Sequence, residues 1–218
     1  MTIEDRPLSD LIYEDVRSRI VTGRLSPGAP VRQDALAAEL GVSKIPLREA
    51  LARLERDGLV LVNPRRGWEV RPLARDELEE VFDLRLRLEP AAAAAACAAA
   101  NDEERAAAYA LLRSLDRTLE NDPGEASDLN RAFHLALVRP AGRPLTTQLI
   151  ERLHVLAERY VRAHLAPLGR SERARGEHHA LFDAWTARDA PATATLAERH
   201  IAGALDDLRA QLDDAPPA

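Results

Sequence analysis

Apolar residues recur along this chain with two different periods. Leu8, Ile12, Val16 and Ile20 fall one turn apart, which predicts an amphipathic helix over residues 9–22. Ser9 can cap its start and Gly23 can end it. "SPGAP" at 26–30 is a turn cluster. A short helix through Ala35, Leu36 and Leu40 stops at Gly41. Ser43 is placed to cap a third helix, with Pro46 in its first turn, where no intrahelical N–H is lost, and Gly58 at its end. In "LVLVNPRRGWEV" the helical period gives way to two short strands around an Asn-Pro-Arg-Arg-Gly turn.

Beyond Pro72 the strand patterns vanish. Helices are predicted near 75–89, 90–100, 102–120, 124–139, 144–166, 171–187 and 190–213. Pro90 should break or kink the first of these, and Asn101 or Asp102 should cap the third. There is no internal repeat, which favours a bundle over a solenoid. The expected fold is mainly α: three helices plus a β-hairpin over residues 1–73, then an all-α antiparallel bundle of six to seven helices over 74–218.

Composition changes the picture in two places. No run of about 18 uninterrupted apolar residues exists; the longest, Ala91–Ala100, is short and mostly alanine, so no membrane span is expected. No basic patch followed by an apolar segment opens the chain, and its one cysteine, Cys97, can form no internal disulfide, so a cytoplasmic protein is expected. The net charge of −6 argues against nucleic acid until the chain is divided. Residues 1–72 carry 12 basic and 11 acidic side chains, whereas 73–218 carry 18 and 25. The first part is free of the acidic excess and can approach a polyanion.

The third helix concentrates that possibility. On a helical wheel Leu47, Ala50, Leu51 and Leu54 form one side, and Ile45, Arg48, Glu49, Ala52 and Arg56 the other. A helix-turn-helix uses this arrangement, with the N-terminal residues of its second helix meeting base edges in the major groove. Arg48 can bond guanine in a bidentate way and Ile45 can touch a thymine methyl. Ser43 and the free N–H groups at the helix start, beside Lys44, suit a backbone phosphate. Arg65 and Arg66 precede Gly67 in the hairpin turn, and the glycine lets that turn approach a phosphate backbone closely. The alternative for any single residue here is an ordinary surface helix with solvated charges.

"G-R-L-x-P-G", "L-A-A-E-L-G-V-S", "P-L-R-E-A-L-x-R-L" and "D-G-L-V" together resemble the winged helix-turn-helix of the GntR family of bacterial transcription regulators. The resemblance covers about 60 residues. It implies a recognition helix and double-stranded operator DNA as partner. This chain departs from the family pattern in having Lys44 and Ile45 after the cap serine, and Asp34 where an arginine often precedes the Leu-Ala of the second helix; Arg32 lies close by as a substitute.

The second half carries six histidines: His134, His154, His164, His178, His179 and His200. His178 sits amid an apolar face with Ala174, Leu181, Phe182 and Trp185. His179 shares its side with Asp183 and Thr186 and should be more exposed. His134, one turn after Asn130, flanks a face with Phe133, Leu137 and Val138, and His200 borders Leu196, Ala197, Ala204 and Leu208. Inward histidines on three helices are how bundles build metal sites, and buried imidazoles need a metal, a hydrogen bond or a ligand. Zinc suits neutral imidazole, with nickel or another divalent ion as alternatives.

"DLRLRLEPAAAAAA", "NRAFHLAL", "EHHALFDAW" and "AERHI" resemble the FCD effector domain of FadR-like GntR regulators, over roughly residues 76–213. The resemblance implies a divalent metal on His134, His178 and His200, with Asn130 where the family usually has aspartate. It further implies a small carboxylate metabolite as effector, bound next to the metal, with Arg85 as a carboxylate partner. Arg85 also reads as half of a surface i, i+4 ion pair with Glu89. The expected function is a ligand-responsive repressor that binds a palindromic operator as a homodimer. The rival readings are a metal-dependent enzyme of the helical bundle with an accessory winged helix, and a helical interaction protein. Against the enzyme, no nucleophile context, glycine-rich phosphate loop or spaced carboxylate pair is found.

Overall fold

The computed structural model describes residues 6–64, 67–121, 126–165 and 170–214. The chain separates into two compact units, 1–74 and 75–218, each with its own core.

The first unit contains α1 (Leu8–Val21), α2 (Gln33–Leu40), α3 (Lys44–Arg56), β1 (Val60–Asn63) and β2 (Gly67–Val70). Ile12, Val16 and Ile20 of α1 are buried, as are Leu47, Ala50, Leu51 and Leu54 of α3. That shared core is the tertiary use of the two apolar stripes. Ser9 is not the cap of α1: Pro7 occupies the N-cap position, and no side chain caps there. Gly41 ends α2 at φ +65, a left-handed conformation that glycine adopts without strain and that turns the chain into α3. The strands pair antiparallel, Val60 opposite Val70 and Asn63 opposite Gly67. The turn cluster before α2 does more than turn. The N–H of Gly28 donates to the Val70 carbonyl (2.9 Å), the N–H of Val31 donates to the Trp68 carbonyl (2.8 Å), and Pro30 bridges to Glu69. This segment covers the outer edge of β2, which would otherwise expose unpaired backbone groups.

The second unit contains α4 (Arg75–Ala99), α5 (Asp102–Asn121), α6 (Ser127–Val138), α7 (Pro144–Tyr160), α8 (Arg170–Thr186) and α9 (Ala190–Asp214). A 3-10 turn follows α6 and a π-helical turn follows α7. Mainly α, with three helices and a hairpin before an all-helical bundle, is the architecture expected from the sequence. One helix boundary is not. The predicted break at Pro90 is absent, and α4 runs through the proline as one helix of 25 residues. Pro90 withholds one N–H from the ladder, yet Glu89, Pro90, Ala92 and Ala93 are all buried. Burial on both sides of the proline holds the two segments in one helix, because α4 packs against α6, α7 and α9 along its length. Between α4 and α5 the Asn101 side chain accepts from the Glu104 N–H (2.9 Å), and the Glu104 carboxylate accepts from the Asn101 N–H (2.9 Å). This reciprocal cap fixes the start of α5. The Trp185 indole N–H donates to the Leu137 carbonyl (3.0 Å), which ties α8 to the end of α6.

Candidate functional site

The packing of α3 leaves one side of it free. With its leucines buried against α1, Ser43, Lys44, Ile45 and Arg48 are exposed. Ile45 is 72% exposed, an apolar side chain standing in solvent at the helix N-terminus. Arg32 is exposed at the N-cap position of α2. Gly67 stands at φ +78, next to Gln33. Arg65 and Arg66 lie outside the described residues. Two basic residues near this face are already engaged. Lys44 forms an ion pair with Asp34, the residue that departs from the family pattern. Arg53 bonds Asp10 and lies over the Tyr13 ring, 4.5 Å from its centroid, so it clamps α3 to α1. The Tyr13 hydroxyl completes that clamp by donating to Asp57 (2.6 Å). Of the four basic residues in this helix, Arg48 and Arg56 are the ones with no ion pair among the described residues, and Arg48 is the one at the helix start.

In the second unit His134 from α6, His178 from α8 and His200 from α9 are all buried, and each offers a ring nitrogen within 4.8 Å of the others. The His178 and His200 Nε2 atoms are 3.3 Å apart, and the Glu177 carboxylate sits 2.7 Å from His200 Nδ1. A carboxylate at Nδ1 fixes the proton there and presents the Nε2 lone pair inward, as outer carboxylates do for metal-bound histidines. His134 Nε2 is buried with no hydrogen-bond partner. An orphaned imidazole nitrogen facing two others is costly in a dry core, and a divalent cation would satisfy it. Burial holds His134 well below the usual imidazole pKa, and the neighbouring histidines and Arg85 depress it further. It is therefore neutral and able to ligate. The donor set fits a divalent metal. His179, expected to be more exposed, sits 3.0 Å from the Asp116 carboxylate, apart from this cluster.

A cavity of about 160 Å³ opens beside the histidines, and Asn130, His178, His200 and Arg85 line it. Arg85 is not on the surface. It is buried and pairs with buried Glu89, Nε to Oε1 at 2.6 Å. Glu89 in turn lies 3.1 Å from His154 Nε2 on α7. Burial alone would raise the Glu89 carboxyl, but the Arg85 charge and His154 outweigh it and hold the pKa at about 2. His154 is lowered by burial, against the pull of Glu89. Its ring lies 5.1 Å from that of His134, which extends the imidazole cluster to a fourth helix. Sequence reasoning gave His154 no role. The available signal was its place on the buried stripe of α7 with Ile150, Leu153 and Ala157.

Comparison with known proteins accounts for both units. Residues 8–70 match the family model of bacterial regulatory proteins, gntR family, and residues 80–203 match the FCD domain. The chain belongs to the GntR family of transcription regulators. Within that family it joins the FadR-like group whose winged helix-turn-helix precedes an FCD domain. The Escherichia coli transcriptional repressor GlaR is 30% identical over 198 residues, covering 87% of this chain and 90% of that protein. BphR, an HTH-type transcriptional regulator of Paraburkholderia xenovorans, is 29% identical over 94% of this chain and 86% of its own length. The solved structure of E. coli McbR/YncC superposes with a TM-score of 0.84 at 25% identity, covering 95% of this chain and 99% of that one. These relatives are transcription regulators rather than enzymes, and this GntR-family chain is of the same kind. Among the described residues no helix is long and apolar enough to cross a membrane.

Proposed function

We propose that this regulator is a metal-dependent repressor that binds a palindromic operator as a homodimer and is released by a small organic acid. The observation that carries the reading is the convergence of three buried imidazoles from three helices, one of them with an orphaned nitrogen, beside a cavity. His134, His178 and His200 would hold the ion. Asn130, one turn before His134 on the same cavity wall, can add a carbonyl oxygen but no charge. A bound divalent ion supplies a Lewis-acidic position for a carboxylate. Glu177 at His200 Nδ1 would hold the ring in the ligating tautomer.

On the DNA side, Arg48 and Ile45 would read base edges, and Ser43, Lys44, Arg32 and the hairpin with Arg65, Arg66 and Gly67 would meet phosphates. Two winged helices related by two-fold symmetry would address half-sites roughly one helical turn apart. The kinship with GlaR, a named repressor, supports the sign of regulation.

The test is His178→Ala. The variant is expected to lose the metal and the acid response while keeping ligand-free operator affinity, as read by metal analysis and an operator titration with and without acid. Wild-type protein that binds no divalent ion after supplementation, yet still responds to its acid, would sink the reading.

A further inference from the structure

The cavity beside the histidines has an unusual charge balance. Arg85 spends both Nε and Nη2 on Glu89, at 2.6 and 3.4 Å. Glu158, on the α7 wall, is paired with Arg131 at 3.3 Å. Arg162, the other arginine of the lining, is likewise engaged. Among the described residues, the side chains of the wall therefore leave no uncommitted positive charge for an incoming anion. Ser127, Asn130 and the histidines add uncharged polar groups, and the rest of the lining is aliphatic: α5 contributes Leu115 and Leu119, and α9 adds Ile201 and Ala204 beyond His200. A volume of about 160 Å³ is close to that of a buried cavity able to hold a benzene-sized guest, so the occupant has on the order of six to eight non-hydrogen atoms.

We propose that the effector is a monocarboxylate with a short aliphatic body, and not a di- or tricarboxylate. The inference rests on the metal-and-acid reading above, because the single counter-charge available to the ligand is then the bound ion. One carboxylate meets that ion. The body is then enclosed by Leu115, Leu119, Ile201 and Ala204, which gain by removal of apolar surface from water. A second carboxylate would enter an aliphatic wall with every arginine committed and the Glu158 carboxylate near, and burying an unpaired charge is heavily penalised.

The experiment is titration calorimetry of the full chain with acetate, butyrate, pentanoate, glutarate and pentanamide, in zinc and again in chelator. With zinc, affinity is expected to rise roughly fourfold per added methylene from acetate to pentanoate, as about 0.8 kcal/mol per buried methylene requires. Glutarate and pentanamide are expected to bind at least tenfold more weakly than pentanoate. A flat response to chain length, or glutarate binding as tightly as pentanoate, overturns this inference while acetate binding in zinc still upholds the metal–carboxylate reading. Acids that bind equally well in chelator overturn the metal reading, with the chain-length trend still judging the aliphatic body. Acids that bind in neither condition overturn both.

Discussion

At the scale of single residues, α3 separates cations with a structural task from those left exposed. Arg53 is spent on Asp10 and Tyr13. Arg48 is exposed at the helix start. Arg48→Ala is expected to cost about 1–3 kcal/mol on a cognate operator and to relax preference at one base position, measured by fluorescence anisotropy on variant sites. An unchanged specific affinity would mean that the helix docks differently. Lys44 lies between these cases, because Asp34 holds its ammonium in the free protein. An exposed pair of this kind contributes little to stability. It does, however, cancel a charge that a phosphate would otherwise feel. Asp34→Ala is therefore expected to raise operator affinity and to steepen the salt dependence by about one unit in the log–log slope. Identical salt titrations for the variant and the wild type would place Lys44 away from the backbone.

At the scale of elements, two junctions hold the bundle around its cavity. The reciprocal cap of Asn101 and Glu104 satisfies donors at the head of α5, the helix that supplies Leu115 and Leu119 to the cavity. Asn101→Ala is expected to lower stability by about 0.5–2 kcal/mol in urea unfolding, with no loss of metal. The second junction is the buried line Arg85–Glu89–His154, which joins α4 to α7. Its carboxyl is lowered from 4.5 to about 2, so its stabilising contribution is fully present above about pH 4.5 and is lost as the pH falls towards 2. Glu89→Gln leaves Arg85 buried without its counter-charge and is expected to cost about 3–5 kcal/mol at neutral pH. The difference from wild type should shrink as the pH drops from 4.5 towards 2, because the unfolded wild-type chain protonates Glu89 first and the folded pair only near 2. A difference that stays constant down to pH 3 would show that Glu89 is not the ionised partner assigned here.

At the scale of the whole molecule, the proposed function gives the two units separate tasks and requires that they be coupled. An effector changes operator affinity only by as much as it distinguishes the DNA-competent arrangement from the other. A coupling of about 1–3 kcal/mol is typical and reciprocal. Operator DNA should therefore weaken acid binding by the same factor by which the acid weakens operator binding, roughly 5- to 150-fold. Calorimetry of the acid with and without saturating operator measures it. Sedimentation of the complex should give two chains per palindrome, and a single chain on one half-site would refute the dimer.

Much of the first unit was legible in the sequence because its signals are local. The apolar stripes of α1 and α3, the left-handed Gly41 and the strand alternation around 60–70 each act within a few residues. The inward positions of His134, His178 and His200 were legible for the same reason, since helical phase alone sets which face a residue occupies. Tertiary structure decided what phase cannot. Pro90 has a local preference to end a helix, and burial along α4 overrode it. Arg85 and Glu89 show the spacing of a surface pair, and the wrapping of α4 by its neighbours made that pair a buried one. His154 became part of the cluster because α7 packs beside α4 and α6, a contact that no period along the chain encodes. The cavity, its charge balance and its aliphatic wall are sums over α4 to α9, because a volume is fixed by how helices distant in sequence fail to fill the space between them.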